Sequence, residues 1–89
     1  MNSVSKALRD IVFERDSYTC ILCDRQASDP HHVTPRSQGG KNRPDNLVAL
    51  CRIHHLIAHG QRVQGESLAP EEARQAILEY VADYYAPTR

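Results

Sequence analysis

The 89-residue chain has no tryptophan and a single phenylalanine, so few large side chains are available to fill a core. A chain this short buries only about 60–65% of the surface its unfolded form exposes, and such a domain usually needs a disulfide, a metal or a partner as a staple. Net charge is missing too, since eleven Lys and Arg balance eleven Asp and Glu. No run approaches the ~20 apolar residues of a membrane span, which excludes a transmembrane helix. No charged start leads into an apolar stretch, as a secretory signal would require. These absences predict one domain, residues 1–89, in the cytoplasm and with no membrane partner.

The chain has three cysteines, an odd number, two of them spaced as Cys20-x2-Cys23. In a reducing compartment that spacing reads as a pair of metal ligands rather than a disulfide. Charge is unevenly spread although it cancels. Residues 1–65 hold nine basic and six acidic side chains (+3), and residues 66–89 hold two and five (−3). The Cys- and His-bearing part is therefore mildly basic, and the acidic tail is expected to face away from any phosphate.

Residues 3–15 place Val4, Leu8, Ile11 and Val12 at near-helical spacing, with Ser3 or Ser5 as cap. Residues 18–35 look extended and hairpin-like, broken by the cysteine pair and Pro30. Residues 36–46 carry Gly39-Gly40, Pro44 and two Asn, a loop on every breaker signal. Residues 47–59 are apolar enough to be buried and are expected to turn helical near Cys51, with Gly60 as the stop. Residues 69–85 form an amphipathic helix: Pro70 suits its first position, Glu71 and Glu72 suit its positive end, and Ala73, Ala76, Ile77, Tyr80, Val81 and Tyr84 make one stripe.

All eight Cys and His lie between residues 20 and 59. Cys20-x2-Cys23 and Cys51-x2-His54 are two chelating pairs with 27 residues between them, four soft or borderline donors suited to a closed tetrahedral zinc site. The remaining set is His31, His32, His55 and His59. On a helix His55 and His59 stand at i and i+4 and point the same way. On a strand His31 and His32 point to opposite faces, so one of them joins the other two in an open metal site and its neighbour is left for a different role. Asn46, just before the apolar segment, can hydrogen-bond across the loop and pin it.

With the order HH-x2-P-x-S-x-GG, a following Asn and the ending CxxHH-x3-H, the stretch from Arg15 to His59 resembles the HNH endonuclease family. The resemblance implies an α+β chain with a small ββα-metal fold, a zinc knuckle and flanking N- and C-terminal helices, its core motif spanning about 15–60. It implies a hydrolase that cuts DNA phosphodiester bonds with little evident sequence specificity. By that resemblance His32, Asn46 and His55 are the catalytic motif residues: His32 stands at the general-base position, and Asn46 orders the loop behind it. His31, His55 and His59 would hold a catalytic divalent metal (Mg²⁺, Mn²⁺, Ni²⁺ or Zn²⁺), while Cys20, Cys23, Cys51 and His54 would hold one structural Zn²⁺. Most relatives with such a knuckle have Cys where this chain has His54, a change zinc accepts. Arg36 and Lys41 are the best-placed phosphate contacts, with Arg15 and Arg9 behind them. The expected partner is DNA, with a homodimer or a larger nuclease, packaging or restriction complex as possible assemblies. The competing reading is a non-catalytic zinc-binding module for nucleic acid, which would have no use for His32, Asn46 and His59 in register.

Overall fold

The computed structural model describes residues 4–87; Ser3 lies outside them. Helix α1 (Lys6–Arg15) leads into the strands β1 (Asp29–His32) and β2 (Leu47–Leu50), followed by the short helix α2 (Arg52–Ala58) and the longer α3 (Pro70–Tyr84). The ββα unit expected of the central segment is present, flanked by a helix on each side. No helix of the described residues is long and apolar enough to cross a membrane.

Local chemistry sets the helix ends. Ser5 caps α1, its hydroxyl accepting from the Leu8 N–H at 3.2 Å. Pro70 opens α3, and the Glu72 carboxylate reaches back to the Ala69 N–H at 2.8 Å. Gly60, at φ +102°, follows α2 in the left-handed region. The expected apolar stripe of α1 seats in large part: Val12 is buried and Val4 and Leu8 pack against the same cluster, which Phe13 joins, whereas Ile11 is 55% exposed. The Arg9 guanidinium lies over the Phe13 ring at 4.1 Å.

β1 and β2 pair antiparallel, with Asp29 opposite Leu50, Pro30 opposite Ala49, His31 opposite Val48 and His32 opposite Leu47. Pro30, expected to break the extended stretch, is accommodated inside it. Its partner Ala49 turns its own polar groups outward: the N–H to the Asp16 carboxylate (2.9 Å) and the carbonyl to the Ile21 N–H (3.2 Å). The proton that proline lacks is not needed at that position.

All four residues of β2 are buried, because each face is covered. Leu47 and Ala49 pack with Val12, Phe13 and Ala27 under α1. Val48 and Leu50 pack on the other side with Cys20, Cys51, Ala58 and Ile77. The expected stripe of α3 seats only in part: Ala73 and Ile77 are buried, whereas Tyr84 is 55% exposed.

A polar hub joins these layers. Asp16, just past α1, is buried and accepts from the Arg15 guanidinium (2.8 Å to each oxygen), the Ala49 N–H and the Tyr80 hydroxyl. Arg15 also donates to the Pro44 and Leu47 carbonyls, both at 2.7 Å. One ion pair thereby ties α1 to β2, to the loop before β2 and to α3. Removing one member of a buried pair strands the other without water. Asp16→Ala is therefore expected to destabilise the domain by about 3–5 kcal/mol. Asp10→Ala, which breaks only the exposed Lys6–Asp10 pair, should barely move the midpoint of the same urea titration.

Candidate metal centres and active-site cleft

Two clusters of metal-ligating atoms form, one on each side of α2: Cys20, Cys23, Cys51 and His54, and separately His31, His55 and His59. The division between neighbouring His54 and His55 follows from helical geometry, because adjacent residues on a helix diverge by about 100°.

The first cluster is built by two tight turns. Cys51 is the N-cap of α2, and its sulfur accepts from the His54 N–H at 3.4 Å. Cys20 and Cys23 bracket the other turn, their sulfurs accepting from the N–H groups of Leu22 and Arg25, each at 3.4 Å. Across the cluster the Cys23 and Cys51 sulfurs are 3.8 Å apart, and His54 Nδ1 lies 3.4 Å from the Cys51 sulfur and 3.8 Å from that of Cys20. Ligands at about 2.3 Å (S) and 2.0 Å (N) around a tetrahedral zinc would stand about 3.5–3.8 Å apart, so the donor set fits that ion. All three cysteines are free of disulfides.

Burial pushes the Cys20 thiol up to about 12. Burial also acts against the Cys51 thiolate, but the His54 N–H and contacts from Cys23, Cys20 and Arg25 outweigh it and hold Cys51 below the ordinary thiol value. Behind the cluster, Glu66 faces His54 Nε2 at 3.7 Å and pairs with Arg25 at 2.9 Å.

The second cluster arises from strand parity meeting helical period. Asp29 and His31 are two residues apart on β1 and share a face. His55 and His59, one turn apart across α2 and its C-cap, look back at that face. The His55 and His59 Nε2 atoms are 3.1 Å apart, and the His31 ring centroid lies 5.3 Å from that of His55 and 5.1 Å from that of His59. Two imidazole nitrogens at about 2.0–2.1 Å from one tetrahedral or octahedral ion lie roughly 3 Å apart, so this pair also fits a metal.

His31 is buried, and its Nδ1 has no hydrogen-bond partner among the described residues. A stranded nitrogen of this kind is costly in a pure packing role and is explained by a ligand. Burial first, then the nearby imidazoles of His55, His59 and His32, push the His31 pKa down to about 3, which keeps the ring neutral and able to ligate. Asp29 accepts from His55 Nδ1 at 3.1 Å, leaving Nε2 to point into the cluster, and Arg52 holds the same carboxylate at 3.0 Å. The set grades from buried His31 to exposed His59. It is therefore open on one side.

That open side is a cleft of about 670 Å³ lined by His31, His32, His55 and His59 together with Arg36, Gln38 and Arg74. His32, on the opposite face of β1 from His31, has its Nε2 2.7 Å from the Asn42 side-chain oxygen. Asn46 pins the loop as expected. Its oxygen accepts from the Thr34 N–H (2.8 Å), and its amide donates to the carbonyls of Thr34 (3.1 Å) and Lys41 (3.0 Å). Gly40 permits this closeness, since a Cβ there would sit 1.8 Å from the Thr34 carbonyl oxygen.

The candidate phosphate contacts divide. Arg36 lines the cleft, whereas Lys41 lines a separate shallow hollow with Gly39, Gly40 and Arg43. Arg15 and Arg9, expected as further phosphate contacts, are engaged within the fold. The Arg15 side chain is 6% exposed and committed to Asp16 and two backbone carbonyls. Arg9 lies over Phe13 and donates to the Ser28 carbonyl. The acidic helix α3 does not wholly turn away either, because it sends Arg74 to the cleft wall, where it also donates to the Ala58 carbonyl at 3.3 Å. Sequence reasoning passed over Asp29, Asn42 and Arg74. For Asp29 a signal was present: it shares strand parity with His31.

Taken together, a two-stranded antiparallel sheet, a helix packed on it and clustered metal ligands define a small ββα-metal domain. Residues 20–61, the segment that bears both clusters, match the family model described as HNH endonuclease. The chain is similar to the "Probable mobile endonuclease E" of Enterobacteria phage T4, at 37% identity over 49 residues. That alignment covers 47% of this chain and 35% of the phage protein, so the chain spans about a third of the relative's length. No solved structure matches the chain.

Protein purified without added metal is expected to carry one equivalent of zinc by elemental analysis. Chelation or Cys20→Ser should unfold it, because a small domain held by zinc depends on the ion for its stability. His55→Ala and His59→Ala should retain both fold and zinc; loss of the zinc from either would show that His54 and His55 are wrongly apportioned.

Proposed function

We propose that this chain is a metal-dependent HNH endonuclease that hydrolyses DNA phosphodiester bonds with little sequence specificity. It would use one structural Zn²⁺ at Cys20, Cys23, Cys51 and His54, and one divalent cation at His31, His55 and His59. The observation that carries the reading is the second cluster: three converging imidazoles, one with a stranded buried nitrogen, opening on a cleft that also holds His32. A nucleic-acid-binding module that needed only the zinc staple would have no use for it.

When bound, the cation supplies Lewis acidity toward a phosphate oxygen and the leaving 3′ oxygen. The remaining work falls to side chains. Neutral His32 takes a proton from a water molecule; the O–H bond breaks and its electron pair forms the new bond to phosphorus. The bond from phosphorus to the 3′ oxygen breaks, and that oxygen leaves with its electron pair and is protonated by solvent. Arg36 and Arg74 hold flanking phosphates from the cleft walls, and Asn46 keeps the loop in place behind the base. In this reading DNA is the substrate, and the chain acts on it as a monomer, as a homodimer or within a larger nuclease, packaging or restriction complex.

Nicking of supercoiled plasmid, with and without Mg²⁺, Mn²⁺, Ni²⁺ or Zn²⁺, tests the reading. His32→Ala should slow cleavage by about 10²–10⁴-fold with DNA affinity and metal content unchanged, because a base acts in the transition state rather than in binding. His31→Ala should regain part of its activity at high metal concentration. A zinc-loaded wild type that binds DNA but cuts with none of these metals would return the chain to the non-catalytic nucleic-acid-binding module.

A further inference from the structure

We propose that Asn42 is a positioning residue for His32: it holds the ring as the Nε2–H tautomer, so that Nδ1 is the atom that accepts the proton. The role assigned to Nδ1 rests on the nuclease reading above, whereas the tautomer itself does not.

A neutral imidazole carries one proton on either nitrogen, and a base is useful only if the bare nitrogen is the one that faces its substrate. His32 Nε2 lies 2.7 Å from Asn42 Oδ1, a close hydrogen bond. A carbonyl oxygen can only accept, so the proton in this contact belongs to Nε2. The lone pair is thereby left on Nδ1.

The surroundings hold Asn42 to this task. Asn46 donates to the carbonyl of Lys41, the residue immediately before it. The Pro44–Asn46 turn closes the loop two residues after it. Gly40 lets the loop lie close against Thr34 and Asn46, where an added Cβ would meet the Thr34 carbonyl oxygen at 1.8 Å. The two asparagines divide the labour: Asn46 fixes the loop backbone, and Asn42 projects from that fixed backbone to fix the ring. A rotated amide would present the Asn42 nitrogen instead, place the proton on Nδ1 and leave His32 unable to act there, which gives the proposal a definite opposite.

The test is a two-bond ¹H–¹⁵N correlation spectrum of the zinc-loaded protein labelled at histidine, read alongside nicking rates. His32 in the wild type should show the Nε2–H pattern. Asn42→Ala should shift it to a tautomer mixture and lower kcat by about 10–10²-fold, the usual range for a lost outer-shell partner, with DNA affinity unchanged. Asn42→Asp, whose carboxylate also accepts, should restore the Nε2–H pattern and most of the rate. An Nδ1–H pattern in the wild type, or an unaltered pattern in Asn42→Ala, overturns the proposal. An inactive wild type would sink the nuclease reading, while the spectrum still decides which nitrogen carries the proton.

Discussion

The register of the four-residue pairing between β1 and β2 is the constraint on which both the core and the cleft depend. Successive side chains on a strand face opposite ways, so a slip of one residue would exchange His31 and His32. His32 would then meet His55 and His59, and His31 would be carried to Asn42. Several contacts outside the ladder prevent the slip. The Ser28 N–H bonds to the Leu50 carbonyl at one end, and the Val33 N–H to the Asn46 carbonyl at the other. At the centre the Asp16 carboxylate engages the Ala49 N–H. A short sheet is weak by itself, and here its alignment is dictated by a helix end, a loop and a cysteine turn.

Much of this was legible in the sequence, and for a common reason. Metal-ligand pairs at x2 spacing and a His pair at i, i+4 are local patterns whose geometry follows from turn and helix alone, so Cys20, Cys23, Cys51, His54, His55 and His59 could be grouped without a fold. Helix positions marked by Ser5, Gly60 and Pro70 were readable on the same basis. What escaped was long-range. Asp29 reads as an acid before a proline until the helix 26 residues later lies against it. Asn42 sits among turn-forming residues, and nothing local separates it from the other polar groups of that loop. Arg15 and Arg9 carry charge that sequence logic assigns to solvent or phosphate, yet tertiary packing commits one to Asp16 and lays the other over Phe13. Helical spacing located the apolar face of α1 through Val4, Leu8 and Val12 but could not say that Phe13 would join it and Ile11 stay outside.

The two clusters contrast in ways that suit different tasks. The cysteine-rich set receives three backbone N–H groups on its sulfurs and is walled by Ile21, Leu22 and Ile53. The all-histidine set is partly exposed and is steadied by a carboxylate that touches one ring. Ligands of the first kind are fixed by the backbone itself, and those of the second by side chains. Because α2 contributes to both, any tilt of that short helix would be felt on its two sides at once.

The outward-facing polar groups of Ala49 have a consequence for how this domain meets others of its kind. Strands whose outer N–H and C=O groups are free invite another strand to add on, the usual route to edge-to-edge aggregation. On β2 the central pair is already taken, the N–H by Asp16 and the carbonyl by Ile21. An incoming strand would have to displace a buried carboxylate that also neutralises Arg15. The sheet is sealed at its middle on that side, so a small, marginal domain can be present at high concentration without recruiting its neighbours through this strand.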